Sequence, residues 1–244
     1  MKILLAPSET KKSGGGKSFD LNALFLENII EQRELLFGTY HKLIASQNLQ
    51  ALSKMFGLKN EQEIVAYRKN IVNSRAMKAI ERYTGVAFEY LDYHTLDHLP
   101  QQYIDSHVIL FSNLFGPLRA SDLIPEYKLK QGEMVDTIKT EKFYHTHTKK
   151  VLDTYFESEE ILDLRAGFYD KFYIPQKPYT TLKFIKEGKV VSHWAKAYRG
   201  IVLRHIAQEQ IETMEDFMKL PITGLTIEEI KTIKNKTEIT YQIG

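Results

Sequence analysis

The chain has 244 residues, 43% of them apolar, and a formal net charge of +2 at pH 7. This composition suffices for one sizeable core, and it excludes a histone-like basic protein, so any nucleic-acid site must be a local patch. The absence of cysteine excludes disulfides, cysteine zinc sites and peroxide sensing through a thiol.

The apolar run at residues 3–6 is too short for a signal peptide, and no stretch approaches the roughly 18 apolar residues of a membrane span. We therefore expect a soluble cytoplasmic protein, without a membrane partner, that forms a single domain over residues 1–244.

Hydrophobic periodicity and turn residues predict interleaved strands and helices. The predicted elements are a strand at 2–6, a polar loop at 7–18, helices at 21–46, 49–56 and 61–83 (the last broken near Asn73), a helix or strand at 85–90, strands at 108–112 and 127–130, a helix at 141–156, a strand at 161–164, a hairpin of strands at 181–185 and 190–194, helices at 195–209, 213–219 and 226–235, and a strand at 238–243. Because the hairpin interrupts a strict βαβ alternation, we predict an α/β fold: a single mixed α/β domain with a central, partly antiparallel sheet flanked by helices.

The segment VVSHWAKAYRGIVLRH, residues 190–205, predicts a strand that leads into a helix at Ala195. At 100° per residue, Lys196, Arg199, Gly200 and Arg204 fall on one face of this helix. Cations in the first turn oppose the helix macrodipole, and Gly200 leaves a gap between them, which suits a bound anion such as phosphate. The alternative is a solvated basic face on an ordinary amphipathic helix.

The loop PSETKKSGGGKS, residues 7–18, follows a predicted strand and precedes a predicted helix. Its GKS ending matches the end of a P-loop, but Lys11 stands where the pattern requires glycine, so the motif fails. A looser phosphate site is still open, because Lys11, Lys12 and Lys17 supply charge and successive glycine N–H groups can form an anion-binding nest. The alternative is a mobile surface loop.

A polar turn at residues 112–122, with 125–129 after it, follows the apolar strand at 108–112. Ligands gather beyond the carboxyl ends of parallel strands, so Arg119, Asp122, Tyr127 and Lys128 are candidate site residues. The alternative is an Arg119–Asp122 ion pair that only shapes the turn.

A second polar turn, at residues 163–171, again follows a short strand. Here Arg165 and Tyr169 are candidates for contacts with an anion or a base. A purely structural turn is the alternative.

The histidines that come in pairs are His94 with His98 and His145 with His147. Neither pair has a clear third ligand, so we predict no metal site and no cofactor. His193 is a candidate catalytic residue because it lies at a predicted strand end beside Lys196. A Ser–His–Asp triad stays open, although no G-x-S-x-G elbow is present.

Residues 52–60, LSKMFGLKN, lie between two predicted helices and resemble a helix-hairpin-helix turn. In such a turn, backbone N–H groups bind a DNA phosphate. An ordinary helix–helix corner is the alternative.

Several of these segments, taken in order, resemble the YaaA peroxide-stress family, also called DUF328 or UPF0246. The matching text is LAPSETK at residues 5–11, RYTGV at 82–86, residues 111–122 with 124–129, residues 162–169 and residues 191–200. The chain departs from the family pattern at Asn113, at Lys128 (usually Arg) and at Ala166 (usually Ser), which places roles for Lys128 and Ala166 in doubt.

The resemblance implies a cytosolic protein that limits oxidative damage when peroxide meets free iron. It also implies an α/β fold with a positively charged cleft, a helix-hairpin-helix element and binding to DNA. It does not imply an established reaction.

Our leading hypothesis is a peroxide-stress protection protein that binds duplex or distorted DNA through a basic cleft, mainly by phosphate contacts. Tyr127, Tyr169 or Trp194 would stack on exposed bases. The candidate DNA- or phosphate-binding residues are Ser8, Lys11, Lys12, Lys17, Arg119, Tyr127, Lys128, Arg165, Tyr169, Lys196, Arg199 and Arg204.

The alternative hypothesis is an enzyme that acts on a phosphorylated or nucleoside-like small molecule in the same cleft. Its candidate catalytic residues are Glu9, Asp122, His193 and Lys196, with Glu9 or Asp122 as general base. An iron-binding protein is a weaker third hypothesis, because no ligand set is recognisable.

Overall fold

The computed structural model describes the backbone of residues 1–244 and every side chain except that of Ser192. In chain order, the strands are β1 (Lys2–Leu5), β2 (Lys17–Ser18), β3 (Arg75–Lys78), β4 (Val108–Ser112), β5 (Gly116–Arg119), β6 (Leu123–Pro125), β7 (Met134–Val135), β8 (Ile138–Lys139), β9 (Ile161–Asp163), β10 (Tyr179–Lys186), β11 (Lys189–Val190), β12 (Leu225–Ile233) and β13 (Lys236–Ile243). The α-helices are α1 (Ile30–Ala45), α2 (Leu49–Phe56), α3 (Glu61–Tyr67), α4 (Ala79–Arg82), α5 (Val86–Leu91), α6 (His98–His107), α7 (Thr140–Tyr155), α8 (Ser192–Gln208) and α9 (Met214–Lys219). Short 3₁₀ helices cover Leu21–Ala23, Glu27–Ile29, Tyr93–Thr95 and Gly167–Lys171.

The central sheet has the strand order β12-β13-β10-β9-β1-β4-β5, with β11 paired to β10. Its inner strands, from β13 to β4, are parallel, whereas β5 and β12 at the two edges are antiparallel to their neighbours. Smaller sheets join β2, β3 and β6, and β7 with β8. The predicted mixed α/β fold with a partly antiparallel central sheet is confirmed.

The pairing of β1 with its two neighbouring strands determines where the loops after these strands meet. Leu4 lies opposite Ile109 of β4 on one side and opposite Asp163 of β9 on the other. Because these strands are parallel, the loops that follow β1, β4 and β9 leave the sheet at the same edge. Both β1 and β4 are almost completely buried, as expected for inner strands covered on both faces.

The predicted long helices are shorter in the structure. Residues 21–29 form two 3₁₀ turns, and Leu26 between them has a left-handed φ of 63° that no α-helix accepts, so α1 begins only at Ile30. The predicted helix at 61–83 ends at Tyr67, because β3 pairs with β2 and β6 instead. The predicted edge strand at 127–130 is absent from the described backbone, whereas α6 and β5 were not predicted.

The prediction of a helix at 226–235 is wrong, because these residues form β12 and the turn after it. The isoleucines at 227, 230 and 233 have helical spacing, but a β-bulge between Ile227 and Glu229 shifts the register of β12 on β13. Ile227 therefore lies opposite Tyr241, and Ile230 lies opposite Ile239, on the same face of the sheet. The bulge thus gives a strand the three-residue spacing of a helix.

The predicted hairpin is confirmed, with Glu187 and Gly188 both at positive φ between β10 and β11. The helix after it starts at Ser192 rather than at Ala195. Lys196 and Arg199 therefore lie beyond the first turn of α8, and the prediction that they oppose its macrodipole there is wrong. No helix of the described residues is long and apolar enough to cross a membrane.

Gly200 allows α8 to contact α5 closely. A methyl group at this position would overlap the carbonyl oxygen of Ala87 and lie 2.9 Å from the backbone nitrogen of Leu91. The prediction that Gly200 leaves a gap for an anion is therefore wrong, because a helix fills that gap.

Replacing Gly200 by Ala is expected to lower the free energy of unfolding by about 1–3 kcal/mol, because the added methyl group separates the two helices. Urea denaturation measures the change. Gly38→Ala on α1 is the matched control, since its methyl group meets no atom within 4 Å; we expect it to stabilise the protein by about 0.4–1 kcal/mol. Equal effects of the two substitutions would contradict close packing of α5 on α8.

Candidate functional site

A cleft of about 420 Å³ lies at the edge of the sheet where β1 and β9 end. The loop after β1 forms one wall, at residues 5–10, and the start of α5 forms another, at residues 84–88. Leu164, Ala166 and Tyr169 close the cleft behind β9, and Lys196 and Arg199 reach it from α8. Two of the predicted strand-end clusters and the predicted basic helix therefore meet in one place.

The polar groups of the loop wall are held in position by neighbouring groups. The hydroxyl groups of Ser8 and Thr10 lie 3.0 Å apart, and Oε1 of Glu9 accepts a hydrogen bond from the Gln131 backbone N–H at 3.1 Å. Gly85 faces them with a φ of 102°, and a methyl group there would lie 3.0 Å from Oγ of Ser8. The close approach of α5 to this loop thus requires glycine.

Arg199 is the least satisfied cation of the cleft. Its Nε is buried and has no hydrogen-bond partner among the described residues. Burial lowers the pKa of Arg199, and the Asp163 carboxylate offsets only part of this effect. Arg199 also lines a second cavity of about 200 Å³ on the Asp163 side. Lys196, which is exposed, adds a second positive charge at the cleft. A buried polar group without a partner is costly, so this pair is suited to an anionic ligand.

Lys11 supports the loop from beneath and is absent from the cleft lining. Its ammonium group lies 4.1 Å above the ring centroid of Tyr127 and donates hydrogen bonds to the carbonyl oxygens of Ser8 and Glu9 at 3.2 and 3.4 Å. Burial, reinforced by the charge of Lys128, lowers the pKa of Lys11 to about 7. This side chain is therefore a structural support whose charge changes near neutral pH.

Tyr127 is buried within a chain of hydroxyl groups. Its phenol lies 2.8 Å from the hydroxyl of Ser112 and 2.9 Å from the phenol of Tyr83, and burial raises the pKa of Tyr127 to about 12. Tyr127 is only 3% exposed, so the prediction that it stacks on a base is wrong. Tyr169 is also buried, but it lines the cleft.

Arg165 is a structural residue rather than a free phosphate ligand. Its guanidinium pairs with both carboxylate oxygens of Asp163, at 2.9 and 2.7 Å, and donates to the carbonyl oxygens of Tyr169 and Tyr173. It also lies over the ring of Phe111. The hypothesis that Arg165 binds a phosphate is wrong, because these partners already occupy its donors.

Arg204, Arg119 and Asp122 lie outside the cleft. Arg204 donates to the carbonyl oxygens of Leu91 and Asp92 and so caps the end of α5. Arg119 lies opposite Ile109, towards the far edge of the sheet. Asp122 is buried there and accepts the backbone N–H groups of Phe25 and Arg119.

The predicted role of Asp122 as a general base in the cleft is therefore wrong, and Arg119 and Arg204 are not cleft cations. The Arg119–Asp122 turn is closed through the backbone N–H of Arg119 rather than by an ion pair.

The remaining predicted residues do not line the cleft. Lys12 is exposed on the loop after β1 and Lys17 is exposed in β2, whereas Lys128 is half-buried with its ammonium group near the ring of Tyr67. His193 and Trp194 are exposed at the start of α8. His193 is therefore not placed to act on a molecule bound in the cleft.

The predicted helix-hairpin-helix turn has the contacts of its alternative, an ordinary helix–helix corner. Helices α2 and α3 flank Gly57, but the N–H groups of Gly57 and Leu58 bond to carbonyl oxygens of Lys54 and Ser53 and cap α2. They are not free for a phosphate. The side chain of Lys130 packs on Gly57, next to Gln131 of the cleft, so this corner adjoins the site.

Sequence reasoning missed the wall at residues 84–88, with Thr10 and Gln131. Two signals were available: Gly85, a glycine that directly precedes an apolar helix, and the family-matching segments at residues 5–11 and 82–86. Among the described residues, no group of three or more His, Asp or Glu side chains is arranged to hold a metal ion.

Lys11 makes stability depend on pH. Between about pH 7 and pH 10, the folded chain has released a proton that the unfolded chain still carries, because a free lysine titrates near 10.4. Unfolding then takes up a proton, so the free energy of unfolding rises with pH across this interval. In Lys11→Met this rise is expected to flatten, as measured by urea denaturation at several pH values. The exposed Lys12→Met is the control, and a rise that persists in Lys11→Met would contradict the assignment.

Comparisons with known proteins identify the same family as the resemblance noted in the sequence. A family model described as peroxide stress protein YaaA matches residues 1–231. An uncharacterized protein of Campylobacter jejuni is 43% identical over 244 residues, which cover 100% of this chain and 99% of that protein. A UPF0246 protein of Corynebacterium glutamicum is 30% identical over 243 residues, covering 94% and 95% of the two chains. A UPF0246 protein of Finegoldia magna is 25% identical, covering 97% and 96%. The resemblance noted in the sequence is thereby confirmed, and the chain belongs to the YaaA peroxide stress protein family.

Proposed function

We propose that this peroxide stress protein acts in the cytoplasm by binding DNA, with a strand phosphate held in the cleft by Arg199 and Lys196. The observation that carries the proposal is that Arg199 and Lys196, two cations from one face of α8, line the same cleft, and that Nε of Arg199 has no hydrogen-bond partner among the described residues. A phosphate in the cleft would be attracted by both positive charges.

The surroundings of the cleft support a ligand longer than the cleft itself. Lys12 and Lys17 are exposed in the segment that continues from the loop wall, and Lys54 and Lys59 are exposed at the α2–α3 corner that adjoins the cleft through Lys130. Further cations near a phosphate site are typical of proteins that follow a nucleic-acid backbone. Contacts of this kind carry no sequence information, so we expect binding that selects DNA shape rather than sequence.

A second candidate function is catalysis on a small phosphorylated or nucleoside-like molecule. The volume of about 420 Å³ favours it, because pockets of roughly 300–1,000 Å³ are typical of small-ligand sites. Of the candidate catalytic residues, Glu9 and Lys196 line the cleft. A reaction here would use Glu9 as the base and Lys196 as the phosphate ligand.

Binding of a labelled duplex, a single strand and a bubble across a salt series tests the leading proposal. For the wild type, we expect affinity to fall steeply with salt. In Lys196→Ala/Arg199→Ala, the slope of log affinity against log salt should become shallower by roughly 0.9 for each lost phosphate contact.

Lys189→Ala/Lys231→Ala is the charge-matched control for this experiment, because both lysines are exposed and neither lines the cleft. Affinity that does not change with salt, or a cleft variant that behaves like this control, would refute DNA binding in the cleft. Saturable binding of a nucleoside monophosphate with no binding of DNA would instead favour the second candidate.

A further inference from the structure

We infer that the cleft receives a single unpaired nucleotide of the DNA strand, with its base against the apolar wall and its phosphate at Arg199 and Lys196. This inference rests on the proposed function and specifies its ligand. It also explains why a cleft that binds DNA has a volume suited to a single nucleoside.

The size of the cleft favours a single nucleotide. A cleft of about 420 Å³ cannot enclose a duplex, yet Arg199 and Lys196 both line it. A paired strand would contact only the rim. A nucleotide turned out of the helix would bring its phosphate to Arg199 and fill the space beyond it.

The chemistry of the lining also suits a nucleotide. Each wall contributes apolar or aromatic residues, among them Pro7, Val86, Phe88, Leu164 and Tyr169. Such side chains suit the face of a base, because stacking on aromatic and apolar side chains is favourable for every base. A lipid or an apolar peptide side chain would not need the polar groups that the lining also contains.

The polar residues Ser8, Thr10 and Glu9 lie on the loop wall, and one carboxylate oxygen of Glu9 accepts a hydrogen bond from the Gln131 N–H. The other oxygen is an acceptor that would repel a phosphate but bind an exocyclic amino group of a base. The cleft therefore favours adenine, cytosine or guanine over thymine, with the phosphate at the α8 side.

Turning out a base costs a few kcal/mol, and the cost is smallest for mismatched or unpaired bases. The protein should therefore bind DNA that contains unpaired bases more tightly than intact duplex of the same length. The protein would therefore select damaged or distorted DNA, because a nucleotide leaves the base stack of such DNA more easily.

The experiment uses 2-aminopurine, a fluorescent base with an exocyclic amino group, placed in a mismatched bubble. Binding of the DNA is followed by fluorescence anisotropy of an end label, and access to the base by acrylamide quenching. With wild-type protein, we expect the quenching constant of the base to fall severalfold on binding and the bubble to bind at least tenfold more tightly than the duplex.

Ala166→Phe is the test variant, because Ala166 lines the cleft in an extended conformation that accepts a larger residue. Its side chain would fill the base site and leave both cations in place. We expect protection of the base to be lost and the preference for the bubble over the duplex to fall from at least tenfold to about twofold. Ala166→Leu is a smaller replacement that serves if the Phe variant does not fold.

The outcomes separate the two proposals. Protein that binds DNA but leaves the 2-aminopurine as accessible as in free DNA overturns the inference and leaves the proposed function intact. Base protection that survives in both Ala166 variants also overturns it. Absence of DNA binding at low salt refutes the proposed function itself.

Discussion

The cleft depends on Arg82, a fully buried arginine beneath the loop that follows β1. Its guanidinium donates to the carbonyl oxygens of Lys12 and Gly14 in that loop and to those of Arg75 and Ile124 in β3 and β6. Burial lowers the pKa of Arg82, but an arginine keeps its charge in proteins. One side chain thus joins residues 12 and 14, just beyond the cleft wall at residues 5–10, to the small sheet.

The arginines of this chain show why a list of cations does not identify a binding site. Arg165 donates through all three of its side-chain nitrogens and Arg204 through Nη1, whereas the buried Nε of Arg199 has no partner among the described residues. In sequence, all three follow or form part of a polar segment near a strand end. The distinction is whether folding supplies a carboxylate or carbonyl acceptor; for Arg165 the main acceptor, Asp163, is two residues away, but for Arg204 it is distant in the chain. Arg204 meets Leu91, more than a hundred residues away in the chain.

The parallel core could be predicted because β1, β4 and β9 are short apolar runs that end in polar turns. From this pattern came the correct placement of Ser8, Glu9 and Tyr169 beside Lys196 and Arg199. The wall at residues 84–88 could not be predicted, since it exists only because α5 packs on α8 at Gly200. The C-terminal strand β12 was mistaken for a helix because one bulge changed the spacing of its isoleucines.

The position of β1 in the sheet also governs when the protein can fold. Ile3, near the beginning of the chain, is paired with Val108 on one side and Leu162 on the other. During synthesis, this apolar strand must wait for both partners to leave the ribosome, and contacts so distant in sequence form slowly. Until residue 163 has emerged, β1 lacks its partner β9, and the cleft is incomplete until Arg199 of α8 has emerged. Translation speed and chaperone access therefore bear on how much of this protein reaches its working form.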